Sequence, residues 1–249
     1  MTTPTTSLAI DHAPTAAPAL ELRNVTGGYR GVDVLRGVDL NVESGSITAL
    51  LGTNGAGKTT LLKTASGLLR PTDGSVLIGG NDVTAWPAHR RAAAGVCHIP
   101  EGRGVFRSMT VRENLRLQTR RGDDEAAGAV RAIEAFPILG QRLDQRAGQL
   151  SGGQQQMLAL ARAYTQRPSL VLVDEASLGL APIVVDAIFT FLQQISSEGT
   201  SLLIVDQFVA RALALADKVY VLGHGEIVFV GEPAELRASD VFGRYLGES

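Results

Sequence analysis

One stretch constrains this chain more than any other: GTNGAGKTT, Gly52 to Thr60. It fits the pattern G-x-x-x-x-G-K-[ST], with Gly52, Gly57, Lys58 and Thr59 at the defining places. Thr53, Asn54, Gly55, Ala56 and Thr60 complete the loop. An apolar run, Ile47 to Leu51, leads in, and a helical pattern from Thr59 to Leu69 follows. Strand, glycine-rich loop and helix in that order make an anion site. Glycines let the backbone wrap closely and adopt φ > 0 where needed. Loop N–H groups and the helix N-terminus then face negative charge. In such a loop Lys58 reaches the β- and γ-phosphates of a nucleotide, and the Thr59 hydroxyl ligates Mg²⁺. The competing reading is an ordinary glycine-rich turn before a helix. It leaves the two stretches described next without a reason.

LVLVDE, Leu170 to Glu175, is an apolar strand that ends in two acids. Ligands of open α/β sheets bind at the carboxyl ends of strands. Asp174 there can hold Mg²⁺ through its water shell, opposite Thr59. Glu175 can act as general base on the attacking water. LSGGQQQ, Leu150 to Gln156, opens a helix expected to run to Arg167. Ser151 is a capping residue, and Gly152 and Gly153 expose backbone N–H groups ahead of Gln154. This is a second phosphate-facing helix N-terminus in one chain.

The remaining sequence fits around these stretches. Residues 1–19 hold five Thr, five Ala and three Pro with no apolar period, and are expected to be a disordered tail. LELRNV alternates as a strand from Leu20, Tyr29 is expected in a turn after two glycines, and Val38 to Val42 is a further strand. Ser75 to Ile78 is another. From about 84 to 166 helical periodicity dominates, interrupted near Gly95–Gly104. Val111 to Gln118 has Thr110 as N-cap and Glu113 as its capping-box partner. Asp124 to Phe136 is a second helix, with Pro137 and Gly140 closing it. Pro182 to Glu198 is a long helix, Ser201 to Val205 a buried strand, and Lys218–Leu222 with Glu226–Val230 a hairpin. The fold class is α/β: a P-loop NTPase core with a mostly parallel sheet, an N-terminal antiparallel β subdomain and an inserted helical subdomain. The net charge of −2 gives no sign of a nucleic-acid surface. The apolar region Leu202–Leu222 is broken by Asp206, Arg211, Asp217 and Lys218, so it cannot span a bilayer. Cys97, the one cysteine, excludes an internal disulfide and reads as a buried small hydrophobe.

Taken together, Gly52–Thr60, Leu150–Gln154 and Leu170–Glu175 resemble the phosphate loop, signature and second acidic motif of ABC transporter nucleotide-binding domains. The resemblance covers about residues 20 to 247 and makes 20–249 one ATP-binding domain. It implies ATP and Mg²⁺ as ligands. It also implies a second ATP-binding subunit, transmembrane permease subunits and an extracytoplasmic solute-binding protein as partners, and a position at the cytoplasmic face of the membrane. Each site would combine the phosphate loop of one subunit with Ser151–Gln154 of the other. Tyr29 aligns with the aromatic that stacks on adenine. Glu101 sits where the family has a glutamine contacting Mg²⁺ and the attacking water, Gln207 where it has a histidine touching the γ-phosphate, and Ala181 where it has an aspartate. PEGR at 100–103, SLGLAP at 177–182 and Gln207 resemble one of the two ATPase subunits of bacterial branched-chain amino acid importers. Asp206 and Ala176 depart from the glutamate and proline expected there. The departures at Glu101, Ala181 and Gln207 point to a non-identical partner subunit; the alternative is a homodimer whose chemistry Glu175 carries alone.

Other readings explain less. Urea or amide importers share much of the subgroup pattern. Soluble ABC proteins of translation carry two such domains, and those of DNA repair insert long coiled coils. Here Thr60 and Leu150 are only 90 positions apart. A small-molecule P-loop kinase would leave Leu150–Gln156 unexplained. His12, His89, His98 and His224 lack metal-ligand spacing. Trp86 beside Pro87 is expected to pack at a helix start, and the Arg90–Arg91 and Arg120–Arg121 pairs to be solvated faces.

Overall fold

The computed structural model describes residues 17–102, 104–119, 125–206 and 208–245. The expected tail therefore lies outside the described residues up to position 16, as do Gln207 and the Arg120–Arg121 pair. Ala17 to Ala19 do have a place: Ala17 O accepts a hydrogen bond from Ser44 Oγ (3.0 Å), and Ala19 is buried.

Two sheets form the frame. The first is antiparallel, in the order β2-β1-β4-β5. It holds β1 (Leu20–Tyr29), β2 (Val32–Val42), β4 (Asp73–Ile78) and β5 (Asn81–Asp82). Tyr29 is the last residue of β1 and not part of a turn after glycines. The turn is Arg30–Gly31, both at positive φ (51° and 81°), the tight hairpin geometry that suits twisted strands. Gly28 belongs to the strand, where a Cβ would lie 1.8 Å from Val32 O. Strand β2 starts at Val32, earlier than the apolar run Val38–Val42 indicates.

The second sheet has the order β10-β9-β3-β8-β7-β6. Its strands are β3 (Ile47–Leu51), β6 (Val96–Ile99), β7 (Leu170–Asp174), β8 (Ser201–Val205), β9 (Lys218–Gly223) and β10 (Glu226–Gly231). All are parallel except β10, which folds back on β9. Strands β3, β7 and β8 are buried at every position, which is why they read as continuous apolar runs. One face packs on the first sheet and α1 (Lys58–Ser66). The other packs on α8 (Pro182–Ser197) and the helices between residues 111 and 166. A smaller core joins β3 and β9 to α9 (Val209–Leu215), α10 (Pro233–Ala238) and α11 (Asp240–Tyr245).

The helices show where sequence periodicity misleads. Helix α1 stops at Ser66, three residues before the predicted end, because Gly67 turns left-handed (φ 78°). The amides of Leu68 and Leu69 then fold back to Lys63 O (2.9 and 3.0 Å). Helix α2 (Ala88–Ala93) buries Arg91, against the expectation of a solvated pair: it is 1% exposed. Its guanidinium donates to Thr64 O (2.7 Å) and Ala65 O (2.9 Å) at the end of α1, and to Trp86 O and Thr84 O (both 3.2 Å). Arg90 remains exposed and stacks on Trp86 at 4.0 Å. Helix α3 (Val111–Gln118) carries the expected capping box, with Glu113 N–H donating to Thr110 Oγ1 (3.1 Å) and Thr110 N–H to Glu113 Oε2 (2.7 Å). Helix α4 (Glu125–Ala135) ends before Phe136, whose φ of −129° is set by the proline after it. Pro137 does not close that helix; it starts a short one, α5 (Pro137–Gly140). The helix expected over 150–167 is two segments, α6 (Gly152–Leu160) and α7 (Arg162–Gln166). They join at Ala161, whose carbonyl accepts from both Tyr164 N–H (3.0 Å) and Thr165 N–H (3.1 Å). Among the described residues no helix is long and apolar enough to cross a membrane.

Candidate nucleotide-binding site

The site is built on β3, where the sheet order changes direction. From β3 the chain supplies β8, β7 and β6 on one side and β9 on the other. Loops leaving the carboxyl ends of such strands form a crevice. Gly52 leaves β3 beneath the β9 backbone, and a Cβ there would lie 2.2 Å from Leu222 O. Gly57 precedes α1 at φ 110°, outside the range that suits a side chain. The loop is braced from the β9–β10 turn, where Gly225 N–H donates to Ala56 O (3.1 Å). Thr53, Asn54 and Gly55 are exposed, while Ala56, Gly57 and Thr60 are buried.

Lys58 bends over this loop, its Nζ donating to Gly52 O (2.8 Å) and Thr53 O (3.0 Å). Burial pushes its ammonium down from the ordinary value, opposed by the charges of Glu175 and Asp174. A phosphate in the loop would replace those carbonyls with a stronger, charged acceptor. Thr59 Oγ1 donates to Asp174 Oδ1 (3.2 Å), so α1 and β7 meet at this point. Asp174 is 1% exposed and its carboxyl is pushed up to about 6. Burial is the largest cause; the Thr59 hydrogen bond opposes it, and the negative charges of Glu175 and Glu101 add to it. A buried carboxylate, a hydroxyl and further negative charge form a hard oxygen donor set that a divalent cation fits. Mg²⁺ characteristically binds through one or two carboxylates plus substrate phosphates rather than in an all-protein cage. No group of three His, Cys, Asp or Glu side chains forms a metal cluster among the described residues.

Glu175 and Glu101 line one cavity of about 350 Å³ with Arg107, Gln155 and Gln156. Tyr29 is 43% exposed at the end of β1, and Lys63 of α1 lies 5.9 Å from its ring centre. Ser151 caps α6 by the expected box: Gln154 N–H donates to Ser151 Oγ (3.4 Å) and Ser151 N–H to Gln154 Oε1 (3.1 Å). Gly153 is buried against Val184, Gly152 is half-buried, and Ser151 is exposed. Among the described residues no hydrogen bond links Ser151–Gln154 to Gly52–Thr60 of the same chain. Ala181 is exposed just before α8. Gln207 lies outside the described residues.

Sequence reasoning missed Arg162. Its guanidinium donates to His98 O (3.3 Å) and Gly104 O (3.2 Å), pinning both ends of the loop that carries Glu101. No local pattern marks it, because its helix is distant in sequence from the strand and loop it joins.

The ABC transporter family model matches residues 35–178, more than half of the chain. The chain belongs to the ABC transporter family. It is the ATPase component of such a transporter, and the family binds ATP. Over 92% of its length it is 40% identical to 99% of the high-affinity branched-chain amino acid transport ATP-binding protein BraG of Pseudomonas aeruginosa. It is also 34% identical, over 92% of its length and 97% of the relative, to the lipopolysaccharide export system ATP-binding protein LptB of Escherichia coli K12. A solved ATP-binding subunit of an ABC transporter superposes with a TM-score of 0.79 at 28% identity, covering 88% of this chain and 92% of that one.

Proposed function

We propose that this chain powers an importer of branched-chain, hydrophobic amino acids. The observation that carries the substrate class is the 40% identity to BraG over nearly the full length of both proteins. In this reading the N–H groups of Gly52–Thr60 and the Lys58 ammonium bind the phosphates, and Tyr29 stacks on adenine. Thr59 and Asp174 would hold Mg²⁺, with Glu101 beside them; bound there, the ion neutralises charge on the phosphate oxygens. Glu175 takes a proton from the attacking water, and the Gln207 amide donates to the γ-phosphate. Water attacks in line, the bond from the γ-phosphorus to the bridging oxygen breaks, and ADP and phosphate leave.

The capped start of α6 serves the phosphates of a second ATP-binding subunit. What supports this is a pair of helix N-termini fit for anions in one chain, with no hydrogen bond between them among the described residues. The partner is non-identical: Glu101, Ala181 and Gln207 weaken the site on this phosphate loop, and a partner with the usual residues leaves one slow and one fast site. Gln207 can donate a hydrogen bond but carries no charge. The pair sits at the cytoplasmic face of the membrane on permease subunits, which receive substrate from an extracytoplasmic binding protein. Uptake of radiolabelled leucine and of urea, in cells with and without this chain, tests the substrate. Loss of leucine uptake alone is expected. Intact leucine uptake with lost urea uptake, or with a defective outer membrane as in lipopolysaccharide export, would overturn it.

A further inference from the structure

Glu175 stands at φ 47°, a conformation that side chains other than glycine rarely adopt. It directly follows Asp174, the last residue of β7. A residue in that region relaxes away unless its surroundings over-determine it. Two holds are backbone bonds. Glu175 N–H donates to Val205 O at 2.8 Å, and Leu178 N–H turns back to Glu175 O at 3.4 Å. The third is made by side chains: Ser177 Oγ donates to Asp206 Oδ1. Ser177 is fully buried and Asp206 is 5% exposed. The same Asp206 oxygen accepts Phe208 N–H at 2.9 Å. Burying a carboxylate is costly unless donors satisfy it, and here the donors come from two different loops. The β7–β8 ladder ends at the pair Asp174–Val205. The Ser177–Asp206 bond extends that connection past the Glu175–Val205 backbone bond.

We propose that Asp206, acting through Ser177, is a positioning residue for Glu175. It locks the loop from Glu175 to Leu180 against the end of β8 and so aims the Glu175 carboxylate. The inference rests on the reading of Glu175 as the group that activates water. Neither Ser177 nor Asp206 touches the reacting atoms; their effect is on the geometry of a group that does.

The test is MgATP hydrolysis by the full chain in a double-mutant cycle of Ser177→Ala and Asp206→Ala, with Asp206→Asn as the conservative variant. Each alanine should lower kcat by about 10- to 100-fold, the range for misplacing a reacting group, with KM for ATP unchanged. The double variant should lose no more than the worse single one. Asp206→Asn should keep most activity, since its amide oxygen still accepts from Ser177 and Phe208. Hydrogen exchange at the Phe208 amide should speed up in Ser177→Ala, while β9 amides stay protected. If Asp206→Ala fails to fold, Ser177→Ala and Asp206→Asn decide alone. Unchanged kcat in Ser177→Ala, multiplicative losses in the cycle, or an effect on KM only would overturn the proposal. Glu175→Gln run alongside separates the two layers. If it abolishes hydrolysis while the cycle fails, only the positioning role falls; if it hydrolyses normally, the reading beneath falls.

Discussion

Arg91 offers the most direct physical test of how this fold supports its phosphate loop. Its side chain is buried (the residue is 1% exposed), with no carboxylate in contact among the described residues; burial holds it below its ordinary value, with Asp82 acting against that at longer range. What compensates the charge is the C-terminal end of α1, where Thr64 O and Ala65 O accept at 2.7 and 2.9 Å. Ala65 O needs this donor, because Leu69 N–H, four residues on, is turned back to Lys63 O. Arg91→Met keeps the length and loses the donors. An orphaned buried carbonyl costs about 1–3 kcal/mol. A cation at a helix C-terminus contributes about 0.3–1 kcal/mol, and up to ~2 kcal/mol when partly buried. Removing a buried charge returns part of its desolvation cost. With Ala65 O orphaned and Thr64 O keeping Gly67 N–H, the expected loss is about 3 kcal/mol. Arg90→Met, which removes only an exposed stack on Trp86, should cost about 0.5–1 kcal/mol. Urea unfolding followed by circular dichroism measures both. At a slope near 3 kcal/mol/M, Arg91→Met should lower the midpoint by about 1 M without changing the slope. Equal losses in the two variants would show that α1 does not depend on this buried cation.

Four further outcomes follow from the site. Lys58→Ala removes the cation poised over the loop and should abolish tight MgATP binding in calorimetry; unchanged affinity would refute the phosphate-loop role. Glu175→Gln should bind ATP normally and hydrolyse it about 10²-fold more slowly or worse, read by phosphate release. Tyr29→Ala should weaken ATP by about 1–3 kcal/mol while Tyr29→Phe stays close to wild type, both read by nucleotide titration. His98 is pushed down to about 4, first by burial and then by the charges of Arg162 and Lys63, against an ordinary 6.5. The unfolded chain therefore binds the proton first, so stability is intact above 6.5 and falls as pH drops from 6.5 through 4. By linkage the loss is about 2 kcal/mol at pH 5, and His98→Gln should abolish that part of the pH dependence in denaturant titrations.

Features that depend on neighbours along the chain were legible in the residues alone. Ile47–Leu51 and Ser201–Val205 are strands with the predicted ends, because burial on both faces demands unbroken apolar runs. The strand expected over Leu170–Glu175 stops at Asp174, because Glu175 turns to positive φ. The caps Thr110–Glu113 and Ser151–Gln154 form as read, because a capping box closes within four residues. The family too was legible, since its motifs are short contiguous strings. Features that join distant segments emerged only from the packed fold. Arg91 looks like half of a solvated pair until α2 is packed against the end of α1, and only then does its cation have carbonyls to serve. Thr59 and Asp174 lie 115 positions apart, and Arg162 and Gly104 lie 58 apart; no local period reports such contacts. Ser177 and Asp206 meet only because β7 and β8 are neighbours in the sheet. Helix ends fall on the same side of the line. A period can show that residues 59–69 and 150–167 favour helix, but the end of α1 at Gly67 and the step at Ala161 arise where backbone groups find partners outside the regular ladder.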